Sequence, residues 1–143
     1  MDRSVKLILV ADDEKMIRDP LENLLIHSGY EVITAANGEE AIKIINAGQK
    51  KIDLIVTDFY MPLPAGVVGE QLDGADVALE ARKKGIKVIL VSSHKTQKSL
   101  QEVAEKKSLN LEEFTSLFEA IFPKPFNVNG LLKKIAEILG GDK

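Results

Sequence analysis

The chain has 143 residues, of which 45% are hydrophobic and 29% charged, and its net charge is −3. This size and composition predict one globular domain with a buried core, and the interspersed acids and bases argue against direct nucleic-acid binding. Cysteine is absent, which excludes disulfides, thiolate metal sites and cysteine nucleophiles. Apolar runs are too short for a membrane span or a signal-peptide core, so we expect a cytoplasmic protein with no membrane partner.

Five apolar segments recur along the chain and predict the strands of one sheet. The segments at 5–11, 52–58 and 86–93 are nearly continuous and rich in β-branched residues. Such runs are typical of parallel strands that are covered on both faces. The segments at 30–36 and 119–125 predict the two remaining strands.

Segments with helical periodicity lie between these strands. They predict helices over 14–29, 38–48, 74–85 and 127–141. Pro20 interrupts the first, so its first turn is expected to be kinked or separate. The alternation predicts a flavodoxin-like α/β fold, in which a doubly wound, five-stranded parallel sheet of order 2-1-3-4-5 carries helices on both faces.

Polar side chains stand where the predicted strands end. Asp12 and Asp13 follow the first strand and Asp58 ends the third, while Ser92 and Lys124 end the fourth and fifth. The carboxyl ends of parallel strands share one edge, so these groups are expected to converge. Three neighbouring carboxylates repel one another unless a cation lies among them, and Mg²⁺ is the hard cation that such oxygen ligands favour. A carboxylate there can act as the nucleophile in phosphoryl transfer.

Four segments, taken together and in order, carry a resemblance. They are LILVADDEKMIR, LIVTDFYMP, VILVSS and PKPF, at the ends of the first, third, fourth and fifth strands. With them the chain resembles the receiver domain of two-component response regulators, like the stand-alone chemotaxis regulators. The resemblance covers nearly the whole chain and implies a single receiver domain over 1–143.

The resemblance implies a role for each matching acid. Asp58 would be the phosphoacceptor and would also contact Mg²⁺. Asp13 would be a direct Mg²⁺ ligand, Asp12 would bind partly through water, and the backbone carbonyl of Tyr60 would complete the protein ligands.

It also implies a switch and partners. Ser92 would be the switch hydroxyl, and Lys124 would pair with the phosphoryl group beside a cis bond to Pro125. The donor would be a sensor histidine kinase or a phosphotransfer protein, and the output an unknown protein bound by the fourth helix, fifth strand and last helix. The chain would be a signalling domain that catalyses its own phosphotransfer and slow dephosphorylation, and not an enzyme.

Two segments depart from the family pattern. Residues 63–72 form an insertion after the phosphoacceptor strand, expected as a loop or hairpin that either overhangs the site or is a tolerated surface feature. Residues 95–119 are longer than the family needs and predict a fourth helix that is extended or split in two. Ile121 stands where the family carries an aromatic switch residue, with Phe118 and Phe122 as possible substitutes.

Two rival functions follow from the sequence. A degenerate receiver would hold one conformation and act as a constitutive binding module. A haloacid-dehalogenase-like phosphohydrolase would also use Mg²⁺ and a strand-end aspartate, but it needs a second aspartate where this chain has Glu14.

Overall fold

The structure is a computed structural model that describes residues 5–69, 71–92 and 97–140, with the side chains of residues 97–99 left out. The parts of the predictions that fall on 1–4, 70, 93–96 and 141–143 lie outside the described residues.

Five strands form one sheet in which every pairing is parallel. They are β1 (Leu7–Ala11), β2 (Glu31–Ala35), β3 (Leu54–Asp58), β4 (Lys87–Ser92) and β5 (Ala120–Pro123). Their order is β2-β1-β3-β4-β5, which confirms the predicted topology. β1 and β3 are buried along their whole length, as their continuous apolar runs predict.

In the part of the chain that the structure describes, six helices connect or follow the strands. They are α1 (Lys15–His27), α2 (Gly38–Ala47), α3 (Gly74–Lys83), α4 (Gln97–Lys106), α5 (Leu111–Thr115) and α6 (Val128–Leu139). α1 continues through Pro20 as one helix, so the alternative of a separate first turn is wrong. The segment between β4 and β5 contains two helices, α4 and α5.

Polar caps determine where several helices begin. The side chains of Asn37, Asp73, Asn110 and Asn127 each accept a hydrogen bond from a backbone N–H in the first turn of their own helix. Such caps satisfy amide groups that have no partner inside the helix. Gly140, with φ of +71°, ends α6 in the left-handed conformation that glycine adopts without strain.

The core has two layers, one on each face of the sheet. On one face α1 and α6 bury Leu21, Leu25, Leu131 and Ile135 against β1, β3 and β4. On the other face the core includes residues of α2, α3, α4 and α5, among them the fully buried Phe114. Helices therefore cover both faces, as predicted, and the carboxyl edge of the sheet is left for polar side chains.

The insertion at 63–72 is a loop among its described residues and contains no hairpin strand. The backbone N–H of Val67 donates to the Pro64 carbonyl in a turn at 3.0 Å. Leu72 packs against the start of α2, where a Cβ placed on Gly38 would lie 2.2 Å from the Leu72 carbonyl oxygen. The insertion therefore rests on α2, and glycine at position 38 permits this close approach.

Within the part of the chain that the structure describes, no helix has the length and apolar character needed to cross a bilayer.

Candidate functional site

Four acids lie together at the carboxyl edge of the sheet. One side-chain oxygen from each of Asp12, Asp13, Glu14 and Asp58 lies within 4.8 Å of the others. Asp12 and Asp58 are buried, with exposed fractions of 4% and 8%. The β1 and β3 strands that carry them are neighbours in the sheet, so the fold itself brings these acids together.

Lys124 supplies the positive charge of this cluster. Its Nζ lies 3.0 Å from Oδ2 of Asp12, 3.1 Å from Oδ2 of Asp58 and 3.0 Å from Oε1 of Glu14. Burial lowers the pKa of Lys124, but hydrogen bonds to Asp12 and Glu14 outweigh it and raise that pKa overall. The ammonium is therefore charged at every physiological pH.

Asp58 is held at both carboxylate oxygens. Oδ1 accepts a hydrogen bond from the backbone N–H of Phe59 at 2.8 Å, and Oδ2 contacts Lys124. Burial raises the pKa of Asp58 to about 6, with a further contribution from the Asp12 charge and an opposing one from Lys124. Near pH 7 this carboxylate is therefore mostly ionised, and Lys124 balances its negative charge only in part.

Asp13 is less buried than Asp12 and Asp58, but its pKa is shifted in the same direction as that of Asp58. Burial and the adjacent charge of Asp12 raise its pKa above the usual value. At both Asp13 and Asp58 a neighbouring negative charge disfavours ionisation, and a bound divalent cation would relieve this repulsion. The donors are all carboxylate oxygens, which fit Mg²⁺ and not a soft metal.

Hydrogen bonds to the oxygens of Asp12 help to hold the loop between β1 and α1. Oδ1 of Asp12 accepts from the backbone N–H of Glu14 at 2.9 Å. Nη1 of Arg18, one turn into α1, donates to the Asp12 carbonyl at 2.7 Å. Sequence reasoning missed the Arg18 contact and the pairing of Glu14 with Lys124, although both residues stand in the LILVADDEKMIR segment.

Ser92 and Tyr60 lie at the same edge. Ser92 is the last residue of β4 and is buried, and its carbonyl accepts the backbone N–H of Lys124 at 2.9 Å. The bond from Lys124 to Pro125 is cis, as the resemblance implies. Tyr60 follows Asp58 by two residues, and its side chain is exposed.

The chain after Asp58 packs tightly on the start of α3. The backbone N–H of Gly74 donates to the Phe59 carbonyl at 2.7 Å, and a Cβ on Gly74 would lie 2.5 Å from the Asp58 carbonyl oxygen. Lys107, just after α4, binds the same helix start through Asp73 at 2.9 Å and Asp76 at 3.0 Å. Sequence reasoning missed this bridge, because Lys107 lies 31 positions after Asp76 in the sequence and still farther from Asp73.

An aromatic column leads away from the site. The ring of Phe59 packs edge-on to Phe114 with centroids 6.1 Å apart, and Phe114 packs edge-on to Phe118 at 5.4 Å. Ile121 packs on this same face of the sheet, whereas Phe122 packs on the opposite face with α1 and α6. Successive strand residues alternate faces, so Phe122 does not substitute for an aromatic residue at position 121.

Comparison with known protein families gives one match that covers most of the chain. The family profile described as "Response regulator receiver domain" matches residues 8–136. A probable transcriptional regulator, ycf27 of Cyanidium caldarium, is 35% identical over 136 residues, which cover 92% of this chain and 45% of that protein. The transcriptional regulatory protein PdtaR of Mycobacterium tuberculosis is 32% identical over 129 residues, which cover 90% of this chain and 54% of that protein. The chain thus spans about half the length of these relatives.

Solved structures with the same fold include two receiver proteins. The response regulator protein TrrA of Thermotoga maritima, solved in complex with Mg(2+)-BeF, is 33% identical with a TM-score of 0.70, covering 94% of this chain and 99% of that one. A CheY-like response regulator receiver domain protein of Methanospirillum hungatei is 26% identical with a TM-score of 0.73, covering 95% of this chain and 94% of that one. The sheet whose edge carries these acids and the lysine therefore has the architecture of solved receiver proteins.

Proposed function

The chain belongs to the response regulator receiver domain family, and we propose that it is a working phosphorylation switch whose phosphoacceptor is Asp58. The observation that carries the proposal is the contact of Lys124 Nζ with the Asp58 and Asp12 carboxylates at 3.1 and 3.0 Å. A degenerate receiver has no need to keep a lysine side chain that is only 11% exposed against two buried acids, since such a cluster is costly when its charges are unbalanced.

The proposed chemistry begins at the Asp58 carboxylate. One of its oxygens forms a bond to phosphorus as the bond between phosphorus and the donor's imidazole nitrogen breaks, which leaves an acyl phosphate on Asp58 and the donor histidine free. Lys124 would move from the Asp58 oxygen to a phosphoryl oxygen and balance part of its charge. The Phe59 N–H holds the other oxygen of Asp58 at 2.8 Å and so orients the carboxylate.

We propose Asp12, Asp13, Asp58 and the backbone carbonyl of Tyr60 as the residues that hold Mg²⁺. When bound, Mg²⁺ would neutralise charge on the phosphoryl oxygens during transfer. The TrrA structure, a complex with Mg(2+)-BeF, supports binding of Mg²⁺ by a protein of this fold. Arg18 and the Glu14 N–H would keep the loop of Asp12 in place for that role.

The donor is proposed to be a sensor histidine kinase or a phosphotransfer protein of the cytoplasm. An apolar groove of about 250 Å³ lies beside Lys124 and is lined by residues of α1 and of the segment after β5, including Met16, Pro20, Phe126 and Val128. Met16 is 88% exposed, which is unusual for a large apolar side chain. A helix of the donor would dock here and bring its phosphohistidine to Asp58.

The output is proposed to be binding of a protein partner at the face formed by α4, α5, β5 and α6. Ser92, at the end of β4, would turn toward the phosphoryl group and draw the end of β4 with it. Two links run from the site toward this face: the ring of Phe59 on Phe114 in α5, and Lys107 on Asp73 and Asp76. We propose that these links act in place of the family's aromatic switch residue, since this chain has Ile121 at that position.

The test is the intact mass of the protein after incubation with acetyl phosphate, with and without Mg²⁺. We expect the wild type to gain one phosphoryl group when Mg²⁺ is present and Asp58→Asn to gain none. Asp19→Asn, which changes an exposed aspartate paired with Lys15, is the matched control and should behave as the wild type.

Two results would count against the proposal. No gain in any sample, with Mg²⁺ binding retained, would favour the constitutive binding module. Continuous release of phosphate from a phosphate monoester such as p-nitrophenyl phosphate would favour the phosphohydrolase, because a receiver needs a high-energy phosphodonor; membership of the receiver family argues against this outcome.

A further inference from the structure

We propose that Glu14 is a specificity-determining residue, which makes the site discriminate against small dianionic phosphodonors relative to monoanionic ones. The proposal rests on the function proposed above, because it concerns transfer to Asp58.

The first argument is that the Glu14 side chain is not used by its own helix. Glu14 occupies the N-cap position of α1, where a side chain usually accepts a backbone N–H from the first turn. The Glu14 side chain makes no such bond within the described chain, and the Glu14 N–H is instead bound by Asp12. Its Oε1 reaches Lys124 at 3.0 Å, a contact between residues 110 positions apart.

The second argument is the difference in exposure among the three carboxylates that contact Lys124. The side chains of Asp12 and Asp58 are 6% and 11% exposed, whereas that of Glu14 is 57% exposed. Glu14 therefore lies on the solvent side of the cluster, where a phosphodonor must approach. It presents a negative charge there and holds one of the hydrogen bonds of the Lys124 ammonium.

The consequence depends on the donor. With acetyl phosphate, an Asp58 oxygen bonds to phosphorus as the bond from phosphorus to the acetate oxygen breaks, and acetate leaves. The dianion is repelled by Glu14 and must compete with it for Lys124. A protein donor meets the same charge but gains contacts with Met16, Phe126 and Val128 in the neighbouring groove, which offset the repulsion.

The experiment compares the wild type, Glu14→Gln and Glu31→Gln. Glu31 is an exposed acid at the start of β2, at the opposite end of the sheet, so its change alters net charge without touching the site. The donors are acetyl phosphate, a dianion near neutral pH, and phosphoramidate, a monoanion, each with Mg²⁺. Phosphorylation is followed by intact mass, and circular dichroism checks that each variant is folded.

We expect Glu14→Gln to accelerate phosphorylation by acetyl phosphate about 3- to 10-fold and phosphorylation by phosphoramidate distinctly less. The reason is that the charge of Glu14 repels a dianionic donor more strongly than a monoanionic one. The wild-type rate with acetyl phosphate should also rise more steeply with salt than the Glu14→Gln rate. Glu14→Asp, which keeps the charge, should keep the wild-type preference between the two donors. Glu31→Gln should match the wild type throughout.

Three results would overturn the inference: an unchanged rate, an equal acceleration with both donors, or a slower rate in Glu14→Gln, which would make Glu14 a helper of transfer. These outcomes leave the proposed function standing, because phosphorylation still occurs on Asp58. Absence of phosphorylation in both the wild type and Glu14→Gln would instead overturn the proposed function and this inference with it.

Discussion

Lys124 Nζ lies 3.1 Å from Oδ2 of Asp58, although β4 lies between β3, which Asp58 ends, and β5, which Lys124 follows. The lysine therefore reaches across the end of one strand to the buried acid of the next. Both side chains are 11% exposed, so this contact is little screened by water. It ties the last strand of the sheet to the proposed phosphoacceptor.

Removing this cation should affect phosphorylation strongly. We expect Lys124→Gln to slow phosphorylation by acetyl phosphate about 100-fold, because an electrostatic contact to the transferred group is lost. The measurement is the rate of phosphoryl gain by intact mass. Lys43→Gln, an exposed position on α2, is the matched control and should leave the rate unchanged. A Lys124→Gln rate within twofold of the wild type would contradict the assignment.

The raised pKa of Asp58 predicts how stability depends on pH in the metal-free protein. Its pKa is about 6 in the folded state and 3.8 as the reference value, so the folded state binds the proton more tightly. The contribution of Asp58 is therefore most favourable below pH 4, and it is lost as pH rises through 6. An asparagine side chain does not titrate, so Asp58→Asn removes this loss. The free energy of unfolding of Asp58→Asn minus that of the wild type should therefore be larger at pH 7.5 than at pH 4.5, by about 1–2 kcal/mol.

The measurement is chemical unfolding of the wild type and Asp58→Asn at both pH values in a chelator. The difference between the two proteins should grow toward high pH, whereas Asp19→Asn should show no such growth. A difference that shrinks as pH rises would mean that Lys124 holds the pKa of Asp58 below its usual value.

Binding of Mg²⁺ should weaken as pH falls through the pKa of Asp58. A protonated carboxylate cannot ligate the ion, so Mg²⁺ and a proton compete for the same group. Below pH 6 we expect the affinity to fall up to about tenfold per pH unit if one proton is displaced. Isothermal titration between pH 5 and pH 8 measures this, and an affinity that is constant over that range would contradict a role for Asp58 as ligand.

Glycine 38 offers a test of the insertion. A Cβ at this position meets the Leu72 backbone at 2.2 Å, so Gly38→Ala must displace the end of the insertion. We expect a loss of about 1–3 kcal/mol of stability. Gly130→Ala, in the first turn of α6, is the matched control, because its nearest contact is an ordinary 3.4 Å and alanine favours the helix.

The rate of phosphorylation in Gly38→Ala distinguishes the two roles considered for residues 63–72. An unchanged rate, measured by intact mass, would indicate a tolerated surface feature that rests on α2. An altered rate would indicate that the insertion controls access to Asp58.

Local pattern explains why the fold and much of the site could be predicted from the sequence. The continuous apolar runs of β1, β3 and β4 and the caps at Asn110 and Asn127 are signals within a few residues. A parallel sheet then brings the strand ends together whatever the side chains are, which places Asp12 near Asp58 and Lys124.

The contacts that were missed are made by long side chains between distant segments. Glu14 to Lys124 and Lys107 to Asp76 depend on rotamers and on how helices pack, and no spacing in the sequence encodes them. The expectation of a separate first turn at Pro20 was wrong for a related reason. Packing of Leu21 and Leu25 in the core stabilises α1 as one helix, although proline locally disfavours a helix.

Lys107 gives a test of how phosphorylation is transmitted to α4 and α5. Its ammonium bridges Asp73 and Asp76 at the start of α3, directly beside the chain that follows Asp58. Burial lowers the pKa of Lys107, but the hydrogen bonds to both acids outweigh it and raise that pKa overall, so the bridge is charged at neutral pH. We expect Lys107→Met to cost about 1 kcal/mol of stability, because the bridge is partly buried and hydrogen-bonded.

The informative readout is amide hydrogen exchange of α4 and α5 with and without phosphorylation of Asp58. In the wild type we expect exchange there to change on phosphorylation, since the end of β3 and the start of α3 move together with Lys107. In Lys107→Met the change should be lost while the phosphorylation rate stays within twofold. Lys106→Met, one residue earlier and exposed, is the matched control. The same exchange response in Lys107→Met as in the wild type would show that the signal travels without this bridge, and the column of Phe59 and Phe114 would then be the remaining route.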